Sequence, residues 1–179
     1  MISGSASRRY ARAILSIGQA QGNLEPLTAE VERLAQSIDS SPDLRTVLLN
    51  PAFSQTQRQA VLDEVCQRLT LSKTTQRLAQ LLLSRGRLPN LPGIARSLRQ
   101  MVDEVAGRVR VRLTSARPLD AAAETRIRSA LGKATGKTVL VEKNVDESLI
   151  GGVVTQVGDV VYDGSLRGEL TSLRARWQG

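Results

Sequence analysis

One segment of the sequence has residues that could bind a nucleotide phosphate, but its spacing is wrong for that chemistry. Residues 132–138 read Gly-Lys-Ala-Thr-Gly-Lys-Thr. A P-loop has four residues between its glycines and follows a strand to open a helix. This segment has three, and it ends a predicted helix and leads into a strand. The segment is explained by a helix C-terminus, where a lysine lies near the negative end of the helix dipole. We therefore expect no bound nucleotide and no other cofactor.

Other groups used in catalysis are scarce in this chain. It has no histidine, which excludes a histidine triad, and its single cysteine, Cys66, is too few for a disulfide or a Cys/His zinc site. Cys66 is expected to be a small core residue. Asp159 and Asp163 flank a short predicted strand without the further ligands that a metal site needs. We therefore expect no metal, no catalytic residues and a protein that is not an enzyme.

Positive charge is the remaining feature that could attract a ligand. The 179 residues have a net charge of +8, which divides as +4 for residues 1–106 (13 cations, 9 anions) and +4 for residues 107–179 (12 and 8). Arg108, Arg110 and Arg112 would stand on one face of a strand, where they could contact phosphates, face solvent or pair with acids of a protein partner. With four aromatic residues and an even division of charge, a nucleic-acid patch is disfavoured.

The first half of the chain reads as helix up to about residue 106. Apolar residues recur at spacings of three and four, and short links between the segments favour a six-helix bundle. Ser41-Pro42 predicts the start of the third helix, Asn50-Pro51 its end, and Gly86 a left-handed end to the fifth. The Arg-containing start, acid-free as far as Glu25, could be a mitochondrial presequence, but its apolar spacing favours a helix of the fold.

From Gly107 onward the apolar period changes from about 3.5 to 2, which predicts strands. A helix should open at Pro118 and Asp120, and a final helix should follow a turn at residues 163–165. A Gly158-Asp159 hairpin is expected between the last two strands. The fold class is therefore α+β, with a six-helix N-terminal domain (1–106) followed by a small α/β C-terminal domain (107–179). The predicted strands cover residues 108–113, 139–141, 150–157 and 160–162.

Residues near the C-terminus resemble the signature of a known family. They match the pattern D-x-S-[LI]-x-G-G … G-D-x-[VI]-x-D-G-S-[VL]-R-G-x-L of the delta subunit of bacterial ATP synthase, the counterpart of the mitochondrial oligomycin-sensitivity-conferring protein. Arg9-Tyr10-Ala11, Asn50-Pro51 and Gly86-Arg87-Leu88 add support, and the resemblance covers essentially the whole chain. The signature residues are Asp146, Gly151, Gly152, Gly158, Asp159, Asp163, Gly164, Ser165, Arg167 and Gly168.

The resemblance implies a non-catalytic subunit of the peripheral stalk, present in one copy, which ties the catalytic head to subunit b. It places the protein peripherally on the cytoplasmic side of the bacterial inner membrane, without membrane insertion or nucleic acid. The C-terminal domain would bind subunit b. Where the family often has Glu-Asn before Gly-Arg-Leu, this chain has Ser84-Arg85. The N-terminal helix of an alpha subunit would lie in a groove between the first and fifth helices, against Tyr10, Ile14, Leu78, Leu81 and Leu82.

Overall fold

The fold combines a helical region with a small α/β region, as predicted. The computed structural model describes residues 3–118, 120–146, 149, 151–157 and 160–165. By its internal contacts the chain divides into two compact units, Met1–Val102 and Asp103–Gly179. The helices of the first half are α1 (Ser3–Gln21), α2 (Leu24–Ser40), α3 (Pro42–Leu49), α4 (Gln55–Arg68), α5 (Lys73–Ser84), a short 3-10 helix (Leu88–Asn90) and α6 (Leu91–Val105).

Local sequence signals set the helix ends. Ser41 accepts a hydrogen bond from the backbone N–H of Leu44 with Pro42 at the first helical position, so the predicted start of α3 is confirmed. Gly86 has φ +62°, a conformation that glycine adopts without the cost of a Cβ, and it follows the last turn of α5 as predicted. The 3-10 helix before α6 was not predicted, and α6 begins at Leu91 rather than Pro92.

The helices of the first unit enclose one apolar core. The predicted seam of α2 is confirmed, since Leu27, Val31 and Leu34 are fully buried. Cys66 belongs to the same core, and its burial raises the pKa of the thiol to about 11. The largest fully buried side chains from the other helices of this core are Leu48, Leu62, Leu82, Leu91, Ile94, Leu98 and Val102.

The second unit contains a four-stranded sheet in the order β2-β1-β3-β4. β1 and β2 are parallel and are joined through helix α7, while the β1–β3 and β3–β4 pairs are antiparallel. Val111, Leu113 and Val139 form a small core on which α7 packs. The predicted alternation of β1 is therefore confirmed. The elements are β1 (Arg108–Ser115), α7 (Ala121–Thr135), β2 (Thr138–Val145), β3 (Gly152–Val157) and β4 (Val160–Ser165).

The predicted turn at residues 163–165 is wrong. Asp163, Gly164 and Ser165 continue β4 and pair with Val154, Val153 and Gly152 of β3. The strand continues because β3 extends as far as Gly152. Its backbone forms hydrogen bonds with backbone N–H and C=O groups of residues 163–165, which a turn would leave without partners. A Cβ on Gly164 would lie 3.1 Å from the carbonyl oxygen of Val153, so glycine suits this close approach. The predicted Gly158-Asp159 hairpin and final helix lie outside the described residues.

Candidate protein-binding surfaces

The five residues expected to line a groove differ in how far they are exposed. Ile14 of α1 and Leu78 and Leu82 of α5 are buried in the core of the bundle, and Tyr10 is partly buried against that core. Only Leu81 is exposed, at 42% of its surface. The buried three therefore hold the helices in place, and Leu81 is the member that presents a large apolar side chain at the surface.

Helix α1 carries a second apolar row beside its buried one. Ala11 and Ile14 face the core, whereas Tyr10, Ala13 and Ile17 follow at i, i+3 and i+7 along the neighbouring edge of the helix. Ala13 is exposed, and Ile17 is 38% exposed. The sequence signal for this row is an apolar stripe wider than one packing partner requires.

Helices α1 and α5 are held by different neighbours. α1 packs mainly on α2, and α5 packs mainly on α4, while both also contact the 3-10 helix Leu88–Asn90. Leu88 is buried in the common core. The 3-10 helix therefore connects the two helices that carry the exposed Ile17 and Leu81.

A carboxylate from α2 fixes the start of α5. Glu30 Oε2 accepts hydrogen bonds from the Ser72 N–H (3.0 Å), the Ser72 Oγ (2.6 Å) and the Thr75 Oγ1 (2.6 Å). Ser72 is also the N-cap of α5, so Glu30 places negative charge at the positive end of that helix. Burial disfavours its ionised form, but these hydrogen bonds outweigh burial and hold the pKa of Glu30 below its usual range. Glu30 thus positions α5 on α2.

The arginines of β1 are paired within the chain. Asp103, whose side chain is 8% exposed in the last turn of α6, lies 3.4 Å from Arg108 and 3.1 Å from Arg110. Glu142 of β2 lies 2.9 Å from Arg110 and 3.7 Å from Arg112. Burial disfavours the charge on Arg110, but both acids together raise the pKa of its guanidinium. None of the three sequence-level alternatives for this row included pairing with the chain's own acids.

The remaining sequence candidates have structural roles. Gly136 has φ +65° and ends α7, with its N–H bonded to the Gly132 carbonyl at 2.9 Å, so the prediction of a helix end at the P-loop-like segment is confirmed. Of the signature residues, Asp146 donates its N–H to the Ser115 carbonyl (3.0 Å), and Gly151 precedes β3. Signature residues Gly158, Asp159, Arg167 and Gly168 lie outside the described residues.

Over the residues that the structure describes, no three His, Cys, Asp or Glu side chains are grouped in a way that could hold a metal ion. Within the same ranges no helix is both long enough and apolar enough to span a bilayer.

Comparisons with known proteins agree along nearly the full length. A family profile described as "ATP synthase delta (OSCP) subunit" matches residues 6–176. "ATP synthase subunit delta" of Anaeromyxobacter dehalogenans is 45% identical over 174 residues, which cover 97% of each chain, and that of Citrifermentans bemidjiense is 40% identical over the same shares. A chain in the cryo-EM structure of the Toxoplasma gondii mitochondrial ATP synthase hexamer shares the fold, with a TM-score of 0.73 and 20% identity over 97% of each chain.

A helical unit followed by a four-stranded α/β unit defines the class, a two-unit α+β protein whose fold is shared by a chain of the Toxoplasma gondii assembly. The chain belongs to the ATP synthase delta (OSCP) subunit family.

Proposed function

We propose that this protein is a non-catalytic stator subunit, which links the catalytic head of a proton-translocating ATP synthase to subunit b in the peripheral stalk. The observation that carries the proposal is the family match over residues 6–176, which includes both units. Rotation of the central rotor exerts torque on the head, and a subunit bound at both ends resists it. Such a task requires affinity, not chemistry, and apolar contacts at an interface supply affinity.

The first unit is proposed to bind the N-terminal helix of an alpha subunit at α1 and α5. An amphipathic helix binds a groove through apolar anchors spaced about one turn apart. Leu81 and Ile17 are exposed apolar side chains on these two helices, and the partly buried Tyr10 lies in the same row of α1 as Ile17. Ile14, Leu78 and Leu82 would support the groove from the core beneath it.

The second unit is proposed to bind the C-terminal end of subunit b. Val161 and Tyr162 of β4 are more than half exposed and provide apolar area for such a contact. The protein would then be peripheral on the cytoplasmic side of the bacterial inner membrane, in one copy per complex, with protein partners and no nucleic acid.

Purification of the tagged chain from its native membrane fraction tests this function. We expect the alpha subunit and subunit b to be recovered together with it, since each unit would hold one of them. Recovery of neither subunit would contradict the stator role. Recovery of alpha but not b would confine the proposal to the first unit.

A further inference from the structure

The equal division of charge between the two halves hides a strong segregation within the first. Helix α1, helix α5 and the link after α5 contain seven cations and no acid. The rest of residues 1–102 holds six cations and seven acids, so the net positive charge of the first unit comes from α1, α5 and that link alone. The seven cations are Arg8, Arg9, Arg12, Lys73, Arg77, Arg85 and Arg87.

All seven of these cations are exposed. No ion pair involves any of them among the residues that the structure describes, whereas three of the six cations on the other helices, Arg45, Arg68 and Arg99, each pair with an acid of their own unit. Exposed like charges repel one another and do not stabilise the fold. Their collection on two helices therefore gives a positive surface that attracts negatively charged groups.

The cations border the exposed apolar side chains. Arg77 lies one turn before Leu81, and Arg85 lies one turn after it at the C-cap of α5. On α1, Arg9 lies one turn before Ala13, in the row that leads to Ile17. An apolar centre with a charged border is the arrangement of a protein interface. Phosphate-backbone binding would not need the apolar centre, and stacking of bases would need exposed aromatic rings, which these two helices lack apart from the partly buried Tyr10.

We infer that α1 and α5 select an amphipathic helix whose apolar face is flanked by acidic side chains. The apolar anchors give affinity, and the cations select the partner by charge and speed its association. The inference rests on the proposed function, since it names the chemistry of the helix that the same surface would receive. It goes further by predicting that binding to this chain depends on salt and on acids in the partner.

Two synthetic helical peptides of 20 residues test the inference by calorimetry with the full chain. Both have leucine on one face, and they differ only in carrying glutamate or glutamine at the positions that flank it. At low ionic strength we expect the glutamate peptide to bind about tenfold more tightly, the sum of several exposed ion pairs. In about 0.5 M salt, where charges are screened within a few ångströms, the two affinities should become equal.

A pair of double variants locates the effect. Arg77→Gln with Arg85→Gln should remove most of the preference for the glutamate peptide over the glutamine peptide. The matched control, Arg33→Gln with Arg68→Gln, removes the same charge from α2 and α4 and should leave the preference in place. Equal loss in both double variants would mean that net charge alone acts, which overturns the inference.

The remaining outcomes separate this inference from the proposed function. Equal affinity of the two peptides at low salt overturns the charge selection and leaves the stator role standing. Failure of both peptides to bind overturns the inference, and the stator role then depends on the co-purification of the alpha subunit and subunit b. Tighter binding of a 20-base-pair DNA duplex than of the glutamate peptide, lost in the Arg77/Arg85 variant, overturns the inference in favour of a nucleic-acid surface.

Discussion

The arginines of β1 and the cations of α1 and α5 differ in what lies opposite them. In the sequence the β1 row is conspicuous, because three arginines alternate within five residues. In the structure that row forms ion pairs with Asp103 and Glu142, which lie in the same second unit. The cations of α1 and α5 are scattered along 80 residues, yet they are the ones without an ion pair among the described residues. A cluster of arginines in the sequence therefore does not show that they are available to bind a partner. Whether they are available depends on where the acidic side chains lie in the structure.

Removal of Asp103, the most buried acid among the described residues, should have the largest effect on this comparison. Asp103→Ala leaves Arg108 and Arg110 without their nearest buried carboxylate, which we expect to lower the free energy of unfolding by about 2–3 kcal/mol. Urea denaturation followed by circular dichroism measures the change. Glu142→Gln, at a more exposed position, should cost less than about 1 kcal/mol. Equal costs for the two variants would remove the distinction between the buried and the exposed acid.

The apolar centre of the α1 and α5 surface is tested by Leu81→Asp. We expect this variant to weaken binding of the alpha N-terminal peptide by on the order of 2 kcal/mol, since it puts a charge where an apolar anchor would be buried. Tyr10→Ala should have a similar effect. The melting temperature of Leu81→Asp should stay unchanged because Leu81 is exposed, while Leu82→Asp in the core should unfold the chain. Unaltered peptide affinity in both Leu81→Asp and Tyr10→Ala would contradict the groove.

A smaller effect is expected from Glu30, a carboxylate whose hydrogen bonds come from Ser72 and Thr75 of its own unit. Glu30→Gln should lower stability at pH 7 by about 1–2 kcal/mol, because it weakens three hydrogen bonds that hold α5. The pKa of Glu30 is lowered in the folded state, so its stabilisation is fully present above pH 4.5, the unfolded value, and is lost as the pH falls through the folded value.

The measurement for Glu30 is the difference in unfolding free energy between the native chain and Glu30→Gln over a pH series. That difference should shrink below pH 4.5. Glu64→Gln, which removes an exposed helix pair with Arg68, is the matched control and should cost only a few tenths of a kcal/mol. A difference that does not vary with pH would show that the charge of Glu30 is not involved.

The smallest change is expected from the exposed cations themselves. Arg77→Gln with Arg85→Gln should alter the free energy of unfolding by no more than about 0.5 kcal/mol, since neither side chain has an ion-pair partner in the described residues. Thermal unfolding at low and high salt checks this. A clear loss of stability would mean that these arginines hold the fold together, as those of β1 do.

Much of the fold could be predicted because its signals are local. Helix periodicity, the Ser41-Pro42 start and the left-handed Gly86 depend on neighbours in the sequence, and all are confirmed. The turn predicted at residues 163–165 failed because pairing with β3, a tertiary interaction, overrode the turn preference of Asp-Gly-Ser.

The site was less predictable because exposure depends on how helices pack. Leu78, Leu81 and Leu82 are the same residue type on the same helix. Their angular positions on α5 make Leu78 and Leu82 buried and Leu81 exposed. The partners of Arg110 lie 7 residues before it and 32 after it, in α6 and in the parallel strand β2. The register of a parallel pair is not visible in a single sequence, so these ion pairs could not be foreseen.

The parallel pairing of β1 and β2 also has a consequence for the order of folding. It joins Arg108 to Thr138 and Ser115 to Val145, so the strands close a long loop through α7 before their hydrogen bonds stabilise the sheet. Helix formation within the first unit involves mostly local contacts and is intrinsically faster. During synthesis that unit also leaves the ribosome first. The helical half of this protein would therefore be folded while the strands of the other half are still being made.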